Sequence, residues 1–91
     1  MNFKIESNEI YLLNDEGIKL AFVKFPALDE KNVIVTTTYV SDVLRGQGIA
    51  GKLMQCLYEE LKRTNRLAIM KCSYAVSWFE KNIDKQDILS K

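Results

Sequence analysis

The chain contains no histidine. That absence excludes Ser-His-Asp and Cys-His nucleophile systems, histidine-ligated zinc and an imidazole general base. Cysteine occurs only twice, at Cys56 and Cys72, too few for a four-thiolate metal site or a disulfide-dense scaffold; no metal site is expected. Neither charge dominates: 13 Lys+Arg against 12 Asp+Glu leave a net +1, so no broad basic field for nucleic acid or anionic lipid is expected. No stretch approaches the roughly 18 consecutive apolar residues of a membrane helix. The opening Met1-Asn2-Phe3-Lys4-Ile5-Glu6 carries charges where a secretory leader needs an apolar run. The expectation is a cytoplasmic protein with unpaired thiols, with no nucleic-acid or membrane partner. What is present is ordinary globular composition, 47% apolar and 27% charged, in 91 residues. That length holds one small core, so residues 1–91 are read as a single domain.

The first forty residues read as strand. Phe3–Glu6 alternates, Ser7-Asn8 is a turn signal, and Ile10–Leu13 is apolar on both faces. Asn14-Asp15-Glu16-Gly17 makes a hairpin turn. In Ile18–Phe25 one face carries Leu20, Phe22 and Lys24, the other Ala21, Val23 and Phe25, and Pro26 ends the strand. Val33–Val40 is filled with β-branched residues and reads as one long strand. The period then changes. From Gly48 to about Thr64, Ile49, Leu53, Leu57 and Leu61 form a helical stripe, with Glu59, Glu60, Lys62 and Arg63 on the wet face and Asn65 as a cap. Cys56 lies beside the stripe and reads as a packing residue. Leu67–Met70 is a short buried strand. Ser73 is placed to cap a second helix through Trp78 and Phe79, both read mainly as core, ending near Asn82. Asp84–Leu89 is a short tail. The order β-β-β-α-β-α predicts an α+β fold with a mixed, mostly antiparallel sheet and two main helices. The first helix is the crossover that makes the strands before and after it parallel neighbours.

The most informative segment joins the strongest strand to the longest helix: Ser41-Asp42-Val43-Leu44-Arg45-Gly46-Gln47-Gly48-Ile49-Ala50-Gly51-Lys52. Gly46 and Gly48 strip side chains from the turn, letting backbone N–H groups converge on an anion at a helix N-terminus, where the first donors lack partners and the dipole is positive. Arg45 adds a forked donor suited to phosphate, and Lys52 follows in the first helical turns. The spacing Gly46-x-Gly48-x-x-Gly51 also fits a dinucleotide fingerprint, but Ser41–Arg45 separate it from the strand and Leu67–Lys71 lacks the required acidic residue. A Walker loop fails at Leu53, which cannot ligate magnesium.

Arg45-Gly46-Gln47-Gly48-Ile49-Ala50 resembles the Arg/Gln-x-x-Gly-x-Gly/Ala signature of GNAT-type N-acetyltransferases. More narrowly, residues 3 to 89 resemble the small single-domain GNAT-like acetyltransferases (the YjdJ-like type). Cys72-Ser73-Tyr74 with Trp78-Phe79-Glu80-Lys81 is similar to that type's second signature. The resemblance implies acetyl-coenzyme A as cofactor, its pyrophosphate on the loop of Arg45, Gly46, Gln47, Gly48, Ile49, Ala50 and Gly51. It implies pantetheine and acetyl carbonyl against main-chain groups of Thr38, Tyr39 and Val40. The chain departs from the pattern in places: Thr37-Thr38 stands where the small type often has His-Thr, and Phe79 where larger members carry a tyrosine that protonates the departing thiolate.

Acetyl transfer from a thioester to an amine requires a polarised carbonyl, a neutral amine and a stabilised or protonated thiolate. Cys72 and Tyr74 are the candidate catalytic residues, with Glu80 and Tyr39 as further candidates for a base. Cys72 sits between a strand end and a helix N-terminus, beside Lys71, where thiolate is favoured. Coenzyme contact or proton donation, covalent acceptance of acetyl, and packing are all open to it. Arg63-Thr64-Asn65-Arg66 is a basic corner offering a contact to the coenzyme's 3′-phosphate. The expected function is an acetyl-CoA-dependent N-acetyltransferase acting on a small-molecule or protein amine; the alternative is a coenzyme-A-binding module without turnover. The open strand at Phe3–Glu6, or the last strand, leaves an edge for pairing, so the chain is expected to be a monomer or weak homodimer.

Overall fold

The alternation in residues 18–25 is realised directly: Ala21, Val23 and Phe25 are fully buried, while Phe22 and Lys24 point to the opposite face. The computed structural model describes residues 2–90. Strands β1 (Lys4–Glu6) and β2 (Glu9–Leu13) form a hairpin across Ser7-Asn8, and β3 (Lys19–Lys24) returns antiparallel to β2. Asn14 closes the second turn by accepting the N–H groups of Glu16 and Ile18 on its side-chain oxygen, 2.9 and 3.0 Å away.

The long strand expected over 33–40 is interrupted. It divides at Thr36 into β4 (Asn32–Val35) and β5 (Thr37–Val40), and the halves join different sheets. One sheet has the order β1-β2-β3-β5. The other pairs β4 with β6 (Leu67–Met70), in parallel as a helical crossover requires. The cause lies in the neighbouring strand. Lys24 accepts the Thr36 N–H at 3.0 Å, but beyond it Pro26 can only accept, taking the Ile34 N–H at 2.9 Å. The ladder is therefore redirected at Phe25-Pro26 and the partner bends with it.

Helix α1 (Ile49–Arg63) lies on the larger sheet through Ile49, Leu53, Met54, Leu57 and Leu61, all buried with Ile10, Ala21, Val23 and Phe25. It ends in a Schellman closure. Asn65 takes a left-handed φ of 56° just past Thr64, the Arg66 N–H reaches the Leu61 carbonyl, and the Asn65 N–H reaches that of Lys62. Glu60 does not belong to the wet face. It is only 7% exposed, and Arg63 donates to both its oxygens at 2.9 and 2.7 Å. Arg66 lies 4.0 Å from the same carboxylate and donates to the Ser7 carbonyl at 2.8 Å. Of the basic corner expected to reach toward a phosphate, Arg66 thus turns inward and ties the end of α1 to the β1–β2 turn, while the Arg63 side chain, paired with Glu60, stays largely exposed.

Helix α2 (Ser73–Lys81) buries Ala75 and Phe79. Its cap position is held by Cys72, not Ser73, and no side chain caps it. The tail forms a 3-10 helix, Ile83–Ile88, after which Ser90 donates to the Ala68 carbonyl at 2.8 Å. The outer edge of β6 is thereby partly covered, while β1 remains an exposed edge.

Candidate functional site

Beyond β5 the chain is tied down by short local bonds. Ser41 donates to Leu20, and Leu44 and Arg45 donate to Ser41 and Asp42 within a 3-10 turn, Asp42–Leu44. Gly46 and Gly48 then adopt φ of 82° and 70°. Nothing lies within 4 Å of where a Cβ would stand on either, so glycine is demanded by backbone conformation, not by crowding. Gly48 is the N-cap of α1, and the first intrahelical bond runs from Lys52 N–H to its carbonyl at 3.1 Å. The N–H groups of residues 46–51 consequently find no acceptor among the described residues. They border an open groove of about 390 Å³ lined by Val40, Leu44, Arg45, Gly46, Gly48, Ile49, Ala50, Gly51 and Tyr74. The Arg45 Nε lies 2.8 Å from Asp42 Oδ1 in a pair exposed on both sides, which an incoming anion competes with.

The free edge of β5 meets this groove. Ser41 donates to Leu20, and Tyr39 and Thr37 stand opposite Phe22 and Lys24. The antiparallel alternation therefore turns the backbone groups of Thr37 and Tyr39 toward β3 and those of Thr38 and Val40 away from it. Among the described residues no strand pairs with that outer side: Lys71 and Cys72 both donate to the Val35 carbonyl, at 2.9 and 3.0 Å, and turn the chain into α2. Thr38 and Val40 share the helix-side face with their partners Val23 and Ala21. Tyr39 lies on the other face, 45% exposed, its ring 5.3 Å from that of Phe22.

Cys72 is brought to the same edge. Its thiol donates to Thr38 Oγ1 at 3.4 Å. Burial pushes this thiol up, but once it ionises the Thr38 hydroxyl can turn to donate to the thiolate, and the nearby N–H groups of Ala75, Tyr74 and Thr38 favour the same form; together they outweigh burial and lower the pKa from the ordinary thiol value. Tyr74, two residues on, is shifted the other way: burial raises its hydroxyl above the ordinary phenol value. Cys56 also moves up, from burial and then from Glu59 and Glu60. Both thiols are free.

Several residues singled out in the sequence stand elsewhere. Gln47 does not line the groove. Lys52 lies with Phe3, Gln55, Cys56 and Glu59 at a separate depression on α1. Glu80 is exposed on α2. Gly51 is an ordinary helical residue, without the positive φ of its neighbours, and its bare Cα faces α2: a Cβ there would meet Trp78 Nε1 at 3.5 Å and the Tyr74 hydroxyl at 3.9 Å. Leu44, unnoticed in the sequence, is a groove wall; its position one residue before Arg45 was the available signal.

A mostly antiparallel sheet that opens along one strand, with a glycine loop passing directly into a helix at the opening, defines the N-acetyltransferase type of α+β fold. The sequence profile described as GCN5-related N-acetyl-transferase matches residues 9–88. The chain belongs to that family. The solution structure of a GCN5-like protein from Staphylococcus aureus, assigned as an N-acetyltransferase, is 31% identical and superimposes with a TM-score of 0.79 over 98% of this chain and 87% of that one. The GNAT-family N-acetyltransferase YhbS of Escherichia coli, crystallised with CoA, is 22% identical (TM-score 0.59), with 68% of this chain and 38% of that chain covered. Tetrahymena GCN5 is 14% identical (TM-score 0.65), covering 91% and 59%. These two share the fold and are much longer. No curated protein matches the chain.

Proposed function

We propose that this chain binds acetyl-coenzyme A in the groove at residues 45–51 and transfers the acetyl group to an amine of a small molecule or protein. One observation carries the reading: six consecutive unengaged N–H groups lie over the positive end of α1, beside the unpaired edge of β5. That donor set fits a diphosphate, and the groove gives it room. The coenzyme, when bound, supplies an acetyl thioester. The N–H groups of 46–51, with Arg45, hold the phosphates. The outward backbone of Thr38 and Val40 lines the arm, with the Val40 N–H as the donor that polarises a carbonyl. Tyr39 contributes backbone, its side chain being turned to the other face.

Cys72 and Tyr74 divide the remaining work because their surroundings displace them in opposite directions. Hydrogen bonds enlarge the thiolate fraction of Cys72, which suits its sulfur to take an acyl group. Burial keeps the Tyr74 hydroxyl protonated, which suits it to give a proton. The CoA-bound neighbour supports the choice of ligand.

Isothermal titration with coenzyme A tests the reading. Saturable binding is expected, and absence of heat at millimolar coenzyme refutes it. Thiol release over a panel of amines then separates turnover from a second reading, coenzyme binding alone, which is favoured by the fully buried and hydroxyl-free Phe79 at the position of the usual acid. Mass spectrometry after exposure to acetyl-coenzyme A alone reads the role of Cys72: an acetyl adduct on its peptide supports covalent transfer, and an unmodified peptide assigns the residue to contact.

A further inference from the structure

Helix α2 brings two side-chain donors to the first turn of α1, and neither has a hydrogen-bond partner among the described residues. Tyr74 and Trp78 are four residues apart and share one helical face. The tyrosine hydroxyl and the indole N–H converge on Gly51, at 3.9 and 3.5 Å from where its Cβ would be. Every fully buried side-chain polar atom on the non-exposed described residues has a hydrogen-bond partner. The indole N–H has none among them, so it remains open to solvent; the Tyr74 hydroxyl, on a residue 39% exposed, has no partner among the described residues either. Here the ring makes an edge contact with Phe79, centroids 4.9 Å apart at 76°, and its Nε1 stands behind Gly51, 3.5 Å from where a Cβ would be; Gly51 and Tyr74 line the groove, and Trp78 lies one layer back from it. Packing alone does not require that vacancy, since a methyl group at 51 would meet both atoms at ordinary contact distance. The vacancy leaves the donors unscreened beside the Gly51 N–H, itself one of the unengaged amides of the groove.

We infer that the Trp78 indole N–H, together with the Tyr74 hydroxyl, completes the anion-binding groove as side-chain donors to the ligand's phosphate or pantetheine oxygens, with Gly51 as the opening through which they reach it. The inference rests on the coenzyme reading above and adds a second wall to the site. The loop supplies backbone donors from α1, and α2 supplies the side-chain ones. It also gives the two donors a partner: the Trp78 ring packs against the core beside the fully buried Phe79 and Ala75, but its N–H bonds to nothing there.

Trp78 is the single tryptophan, so the ring is its own reporter. Coenzyme A is titrated by calorimetry and, in parallel, by tryptophan emission. The expected result is an emission change that saturates with the calorimetric midpoint. Trp78→Phe is expected to weaken coenzyme A by roughly tenfold or more, the loss of one donor to a charged group. Because that variant also alters the contact with Phe79, Gly51→Ala is measured beside it. It leaves the indole in place, melts no lower than the wild type, and is expected to lower affinity by placing a methyl between donors and ligand. Absence of binding to the wild type overturns the coenzyme reading and this inference together. Binding with unchanged emission, or with unchanged affinity in both variants, overturns this inference alone.

Discussion

Replacing Gly48 by alanine isolates what the loop's geometry demands. Gly48 holds a φ of 70° at the N-cap of α1. A left-handed backbone costs an L-residue about 1–2 kcal/mol. The space around the missing Cβ is empty to 4 Å, so no steric contribution adds to that figure. In a domain of this size each kcal/mol moves the melting temperature by roughly 4–8 °C, and Gly48→Ala is expected to melt roughly 5–15 °C lower. Gly46→Ala, at φ 82°, should behave alike. Gly51→Ala supplies the contrast. Its φ is helical, its Cβ fits at 3.5 Å, and alanine is favoured over glycine inside a helix by about 1 kcal/mol. It should melt at or above the wild type. Gly48→Asn should fall between, since asparagine tolerates the left-handed region. Thermal melts followed by circular dichroism decide the matter. Equal melting of Gly48→Ala and Gly51→Ala would refute the conformational account of the loop.

Three further outcomes are expected. Glu60→Gln should melt several degrees lower at neutral pH, because Glu60 is buried against Arg63 and Arg66. Hydrogen bonding from Arg63 lowers the Glu60 pKa, so the stabilisation is complete above the ordinary glutamate range and disappears as pH falls through the lowered value. The two melting curves should therefore meet in acid, and a constant gap at all pH values would contradict the assignment. Iodoacetamide should modify Cys72 at lower pH than Cys56, whose thiol is pushed up by burial; Thr38→Val should move the Cys72 profile to higher pH, and peptide mass mapping in which Cys56 reacts first would count against it. Arg45→Ala should weaken coenzyme A and reduce the salt dependence of binding, read by titration at two ionic strengths.

Much of this architecture is legible from residue order. The stripe Ile49, Leu53, Leu57, Leu61 fixes α1 to within a residue of its observed ends, and Leu67–Met70 is the short buried strand its composition implies. The loop is legible too, because Gly46 and Gly48 stand between a β-branched strand and an amphipathic helix. The division at Thr36 is not. Val33 to Thr38 is uniformly strand-forming, and the break originates across the sheet at Pro26, where an acceptor-only residue redirects the ladder. Glu60 was hidden for a related reason: helical periodicity places it beside solvent-facing neighbours, and only the return of Arg66 from beyond the helix covers it. The hydroxyl of Ser73 suits a cap, whereas the extended backbone of Cys72 occupies that position and its thiol donates to the Thr38 hydroxyl. The meeting of Gly51 with Tyr74 and Trp78 depends on how two helices cross, which no local pattern encodes.

The most direct test of the central claim is a coenzyme A titration followed by amide nuclear magnetic resonance. The N–H signals of Gly46, Gly48 and Gly51 should shift most and saturate together with those of Val40 and Thr38. Saturable shifts that bypass residues 46–51, or none at all, would contradict it.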